Sequence, residues 1–361
     1  MTKLYLYLTF IVYGIIVFYL AATTPISPHE ANIFYNSTHS ISVLMHLGDR
    51  LVGGFLGLRI FFIFFGFLAI GLFYKLSHMY LSKPEDAYIS TILFMLLPGI
   101  LTATILSNVA IVVLVLVLSF VLLYERKIRY PLPFLMLALF FIHEASIIFF
   151  VALLLYGINV KDKKLMISAL SFLGAFIFFA KGIEIGGRPS GHFIEIFGLY
   201  ATVFSPLLFL FFFYTMYRIL LREEKNLLWY ISFTALTFSL ILSLRQRVYI
   251  TDFAPYVLIA IPVMLETFKN SVRVRLPEFQ TPYKRAFTIV IGMLVFNTSL
   301  IVFHQVFFSI IDNPSKHFAN KIYVPYSLAK SLHANGIKCY DDIGKRELYQ
   351  LKYYKISPCP K

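Results

Sequence analysis

Charge is nearly missing from long stretches of this chain, and that limits its fold more than any other feature. Between Leu51 and Tyr74 only Arg59 is charged, and Ala87–Tyr124 carries no charge at all. Apolar runs long enough to cross a bilayer, about 17–25 residues each, recur along the sequence. A soluble domain has too little interior to hide them, so the runs predict an all-α polytopic membrane protein. Composition agrees: 59% of the 361 residues are hydrophobic and 14% charged, with a mean hydropathy of +0.78, whereas a soluble chain is about a quarter charged. The formal net charge of +14 does not point to nucleic acid, because the basic residues are scattered between the runs instead of forming one face. Lys and Arg concentrated in cytoplasmic loops explain it.

The first run, "LYLYLTFIVYGIIVFYLAA", exceeds a signal-peptide core of about 7–15 residues and reads as an uncleaved anchor. Further spans are expected near 58–76, 87–105, 109–124, 165–180, 198–217, 227–244, 253–268 and 286–310. The stretch 131–158 is long for one span and carries His143-Glu144 at its centre. A charge at mid-bilayer costs about 2.5–3.5 kcal/mol on insertion scales, and basic residues flank this stretch on both sides. Two half-helices that dip in and return satisfy both constraints. The alternative is one helix with the His-Glu pair satisfied inside the bundle. The total is about 10–11 transmembrane helices. With the N-terminus cytoplasmic, inside loops collect roughly 17 Lys/Arg against about 6 outside, which fixes the orientation.

That orientation puts the first loop, residues 23–57, and the C-terminal segment, residues 312–361, outside. The expected organisation is a membrane domain over 1–311 and a small extracytoplasmic α/β domain over 312–361. Within the latter, "PYSLAKSLHANG" reads as a helix stopped by Gly336, and "IKCY" and "LKYYKI" read as short strands. Cys339 and Cys359 are the chain's two cysteines. An even pair confined to one outer segment matches a disulfide in an oxidising compartment. Two free thiols are the rival reading, and the spacing does not suit a metal site.

The unusual polar residues gather on the outer side: His29, Glu30, Asp49, Arg50, Asn108, His143, Glu144, Arg188, His192, Glu195, Arg245, Arg247, Tyr249 and Asp252. In the first loop, Ile33, Phe34, Ile41, Leu44, Met45, Gly48 and Leu51 recur at helical spacing, which predicts an amphipathic helix on the membrane surface. Outer acids beside outer arginines suit a reaction on a lipid-borne phosphate compound. A carboxylate would act as base on an acceptor hydroxyl while guanidinium groups hold the phosphate leaving group. Arg50 and Arg59 read most simply as partners of lipid headgroups. The glycines show no nucleotide fingerprint.

In pattern and order, roughly residues 1–270 resemble the GT-C class of polytopic glycosyltransferases, which includes protein O-mannosyltransferases and the lipid A aminoarabinose transferase. Three segments carry the resemblance: "SPHEANIFY" after the first span, "LLPGILTATILSNVAIVVLVL", and "RQRVYITDFAPYVLIAIPVML". The resemblance implies transfer of a sugar from a polyprenyl-phosphate-linked donor to a lipid, glycan or protein acceptor on the outer face of a bacterial inner membrane. Glu30 matches the acid of the first-loop motif, and Arg245, Arg247 and Tyr249 match the late basic motif near the donor phosphate. Arg188 is a further phosphate candidate in a loop that could close over a donor; Asn108, His143 and Glu144 are candidates for the same pocket. Two departures stand out. His29 occupies a position where Asp is common, and Asn108 stands where many members carry an acid. Glu30 is read as the base with His29 supporting it; the alternatives are His29 as base with Glu30 orienting it, or a member that works differently. Metal dependence stays open: no cofactor is certain, and His29, Glu30, His143 and Glu144 could assemble a divalent-cation site if their loops converge. A lipid-linked-sugar flippase and an O-antigen-type polymerase or ligase are the rival functions. The first would be expected to show internal repeats, the second a large late outer loop.

Overall fold

The computed structural model describes residues 3–35, 41–179, 192–309, 317–340, 344 and 347–359. Its elements are helices. In chain order they are α1 (Lys3–Thr23), α2 (Pro28–Tyr35), α3 (Ser42–Val52), α4 (Gly54–Tyr80), α5 (Pro84–Leu96), α6 (Pro98–Ile105), α7 (Val109–Glu125), α8 (Leu132–Ile142) and α9 (Ser146–Val160). Then come α10 (Lys163–Phe178), α11 (His192–Phe204), α12 (Pro206–Arg222), α13 (Leu227–Ser243), α14 (Ile250–Val257), α15 (Ile261–Arg273), α16 (Pro277–Val302), α17 (Asn320–Ala334) and α18 (Leu348–Tyr353). The expected all-α membrane architecture is present, and each predicted apolar run coincides with one or two helices. Among the described residues, α1, α4, the α14–α15 stretch and α16 are long and apolar enough to cross a membrane; two bent pairs raise the number to six.

Proline explains both bends. Pro98 lacks an N–H and disfavours helical geometry in the residue before it. Leu97 is accordingly extended, and α5 and α6 meet at 59°. Pro206 does the same to Ser205, whose φ of 92° turns the chain by 108° between α11 and α12. The single span expected at 198–217 is therefore two helices. The 131–158 stretch also divides in two: His143 takes an extended conformation at the end of α8, and α9 starts at Ser146.

The chain forms two compact units. The larger contains Met1–Ile11, Phe65–Thr102 and Val109–Thr298. In it α7 is buried on almost every side, which its unbroken Val/Leu/Ile sequence permits. Helix α7 packs on α8 and α14, while α9 packs on α10 and α13. Phe73 stacks on Phe94 with centroids 3.8 Å apart.

The smaller unit contains Val12–Phe64, Ala103–Asn108 and Ser299–Lys361. The predicted surface helix is here two helices, α2 and α3. Met45 and Gly48 of α3 face inward, while Val43, Leu47 and Leu51, four residues apart, remain exposed and give α3 an outward apolar stripe. Gly48 is required by close approach: a Cβ there would lie 2.2 Å from the Gly57 carbonyl oxygen of α4.

The described part of the C-terminal segment belongs to this unit. Its helix α17 ends as expected before Gly336, whose φ is +70°. The strand expected at "LKYYKI" is instead helix α18 followed by a turn, a correction with a clear cause. Helical spacing turns Gln350, Leu351 and Tyr354 to the inside, where Leu351 and Ile356 pack with Ala329 and Leu332. An extended chain would have sent Gln350 and Leu351 to opposite faces. Among the described residues, β pairing is confined to one isolated parallel bridge between Cys339 and Ser357. Cys339 and Cys359 are bonded to each other, with Cα atoms 4.8 Å apart.

Candidate functional site

The first-loop acid lies at the start of α2, and the local sequence dictates how it is held. Ser27-Pro28-His29-Glu30 is a capping box with proline at the first helical position. The Ser27 amide donates to Glu30 Oε2 (2.9 Å), and the Glu30 amide donates to Ser27 Oγ (3.2 Å). Glu30 has a second task. Arg59, from the first turns of α4, donates from Nε to Oε1 (2.8 Å) and from Nη2 to Oε2 (2.9 Å). The Ser107 amide, in the turn after α6, donates to Oε1 (2.9 Å). Four N–H groups thus surround a carboxylate that has about four acceptor sites.

Arg59 is equally occupied. Nη1 donates to the carbonyls of Ala21 (2.8 Å) and Thr24 (2.7 Å), and Nη2 also donates to Pro25 (3.0 Å). With the two bonds to Glu30, its five donors are all used. Both side chains are sealed from water, at 0% and 1% exposure. Burial pushes the Glu30 carboxyl up. The Arg59 charge and hydrogen bonds, together with the Ser107 and Ser27 amides, outweigh that and hold it below the ordinary carboxylate value.

This geometry places the expected residues differently from the sequence reading. Glu30 faces no solvent, whereas its neighbour His29 is exposed on the same turn. Asn108 adjoins Ser107, so the second outer turn does reach the first-loop acid, through a backbone amide instead of a side chain. Arg59, read from sequence as a headgroup partner, is fully buried. A signal for it was available. It is the single charge in the Leu51–Tyr74 run, and an ionisable residue inside a span is by default paired or functional. The capping-box spacing was a second signal, pointing to a structural role for Glu30.

The remaining candidates form a separate constellation within the larger unit. Arg245, Arg247 and Tyr249 lie in the short connection before α14, and all three are exposed. Arg247 is engaged: Glu195 of α11 accepts from its Nε at 2.8 Å and sits 2.6 Å from Nη2, and Glu195 also meets His192 Nδ1 at 3.1 Å. His143, at the α8–α9 break, has Nε2 3.4 Å from Asp252 Oδ1, while its buried Nδ1 has no hydrogen-bond partner. Glu144 beside it is exposed. One turn on, Ser146 Oγ lies 3.1 Å from the Tyr256 hydroxyl. Arg188 lies outside the described residues.

Both Glu30 oxygens are taken by N–H donors, and among the described residues no three His, Cys, Asp or Glu side chains converge on a point.

The fold defined by these helices is the GT-C-type membrane fold that the sequence resemblance implied. The likeness is to two solved structures of ArnT from Cupriavidus metallidurans. The apo structure matches with a TM-score of 0.55 and 13% identity, over 98% of this chain and 76% of the other. The structure bound to undecaprenyl phosphate matches with a TM-score of 0.54 and 10% identity, over 99% of this chain and 77% of the other. At such identity the likeness is one of fold. No protein-family profile matches the chain, and no curated protein does.

Proposed function

We propose that this chain is a multi-pass glycosyltransferase of a bacterial inner membrane. It moves a sugar from a polyprenyl-phosphate-linked donor to a lipid, glycan or protein acceptor on the periplasmic face. The observation that carries the reading is a fold likeness over nearly the whole chain to a structure holding undecaprenyl phosphate. The acid–arginine chemistry of the two constellations supports it.

In this reading His29 is the general base. It takes the proton of the acceptor hydroxyl as that oxygen bonds to the anomeric carbon, and the bond from that carbon to the phosphate oxygen breaks. Glu30, sealed and already ionised, is a positioning residue that fixes the turn carrying His29. Arg245, Arg247 and Tyr249 hold the departing lipid phosphate. Arg247, whose Nε and Nη2 both meet Glu195 Oε1, exchanges that single oxygen for two phosphate oxygens, which its planar fork can take bidentately.

The test is transfer by the purified protein in liposomes containing a polyprenyl-phosphate sugar, read by mass spectrometry of candidate acceptors. His29→Gln should lower turnover by roughly 10²-fold or more, the usual worth of a general base. Movement of the intact lipid-linked sugar between leaflets with no transfer would replace the enzyme by a flippase.

A further inference from the structure

The backbone between α1 and α2 is buried from Thr24 to Ser27, so its polar groups require partners from within the protein. Arg59 takes the carbonyls of Ala21, Thr24 and Pro25. The next residue is served from the far end of the chain. Gln350 of α18 donates from Nε2 to the Ile26 carbonyl at 2.8 Å, and the Tyr354 hydroxyl accepts from the Ile26 amide at 3.3 Å. Gln350 is fully buried and donates also to the Lys321 carbonyl of α17 at 3.0 Å. Three ring contacts extend it: Tyr349 stacks over Tyr35, Tyr353 meets Phe34 edge-on, and Lys352 sits 4.5 Å above the Tyr35 ring.

A polar side chain this deeply buried is costly unless hydrogen-bonded, and a packed apolar residue would have closed the α17–α18 core as well. Gln350 spends both its donors on backbone carbonyls, one of them at the residue before the Ser27–Glu30 box. We propose that Gln350 and Tyr354 are positioning residues for the transfer reaction. They clamp Ile26 and so set the first turn of α2, which presents His29. The Cys339–Cys359 bond closes the segment that bears them and so steadies the clamp. This inference rests on the functional reading above, in which His29 must be held in place.

Two measurements separate the inference from that reading. Hydrogen–deuterium exchange over residues 24–31 of the purified full-length protein needs no substrate. Gln350→Met, which keeps the length and removes the donor, should raise exchange there at least 10-fold. Tyr354→Phe and Cys339→Ser should raise it several-fold, while exchange in α13 stays at the parent level. In liposome transfer assays Gln350→Met should cut kcat about 10-fold with the donor KM within two-fold of the parent, and Tyr354→Phe should cut kcat two- to three-fold. Gln350→Met should add nothing further to a His29→Gln background. Unchanged exchange at 24–31 in Gln350→Met and Tyr354→Phe overturns the clamp, and so does raised exchange with parental kcat. A parent protein that transfers no sugar but shows the same exchange contrast overturns the functional reading and leaves the clamp in place.

Discussion

Glu30–Arg59 and Glu195–Arg247 are both carboxylate–guanidinium pairs with an Nε–Oε1 distance of 2.8 Å. In the first, neither side chain is more than 1% exposed, and every donor and acceptor is spent on the pair or on nearby backbone. In the second, Arg247 is 70% and Glu195 34% exposed. Identical chemistry is thus a cornerstone in one place and a solvated latch in the other. Sealing removes water's competition and makes the loss of either partner expensive. Exposure leaves the second pair screened by water, weak enough for a phosphate to displace the carboxylate. The lesson concerns function: the acid that is better held is worse placed to accept a proton.

The largest expected contrast comes from breaking each pair. Glu30→Ala or Arg59→Met should each destabilise the protein by about 3–5 kcal/mol, because a buried charge loses its partner. The double variant Glu30→Leu/Arg59→Met should recover part of that loss. Thermal unfolding in detergent reads all three, and singles that unfold like the parent would remove the cornerstone role. A smaller effect is expected on acidification. The folded Glu30 carboxyl is depressed, so its stabilisation is complete above the unfolded value near 4.3. It is lost as pH falls below that value and through the lower folded one. Unfolding temperature followed from pH 7 downward should stay flat for this contribution until about pH 4, then decline, and Glu30→Gln should abolish the decline. The smallest stability effect belongs to the exposed pair. Glu195→Gln should leave the unfolding temperature nearly unchanged, and 1 M salt should erase any residual shift, since screening there acts within about 3 Å. Arg247→Ala should match it in stability while raising the donor KM; an effect as large as that of Arg59→Met would contradict the distinction.

Much of this fold was readable in advance because apolar periodicity and proline placement act locally. The helices at 3–23, 54–80, 109–125 and 227–243 follow their runs closely. Both membrane breaks not drawn from sequence, at Leu97 and Ser205, precede a proline. The candidate site was only partly readable. Glu30 stood out as an acid after the first span, but its partner lies 29 residues away and its third support is a backbone amide at Ser107. Amides carry no sequence signature. Helix α18 was misread because "LKYYKI" is short and rich in aromatic residues, and only tertiary contact with Ile26 and Lys321 gives Gln350 a reason to face inward.

The distance along the chain between Ile26 and Gln350, 324 residues, has a consequence for biogenesis. Arg59 follows Glu30 by only 29 residues, whereas the glutamine that completes the enclosure is synthesised much later. Until then the Ile26 carbonyl must be satisfied by water or a chaperone. A nascent chain stalled before α18 would therefore expose an unfinished first loop, a mark by which quality-control proteases could tell incomplete copies from finished ones.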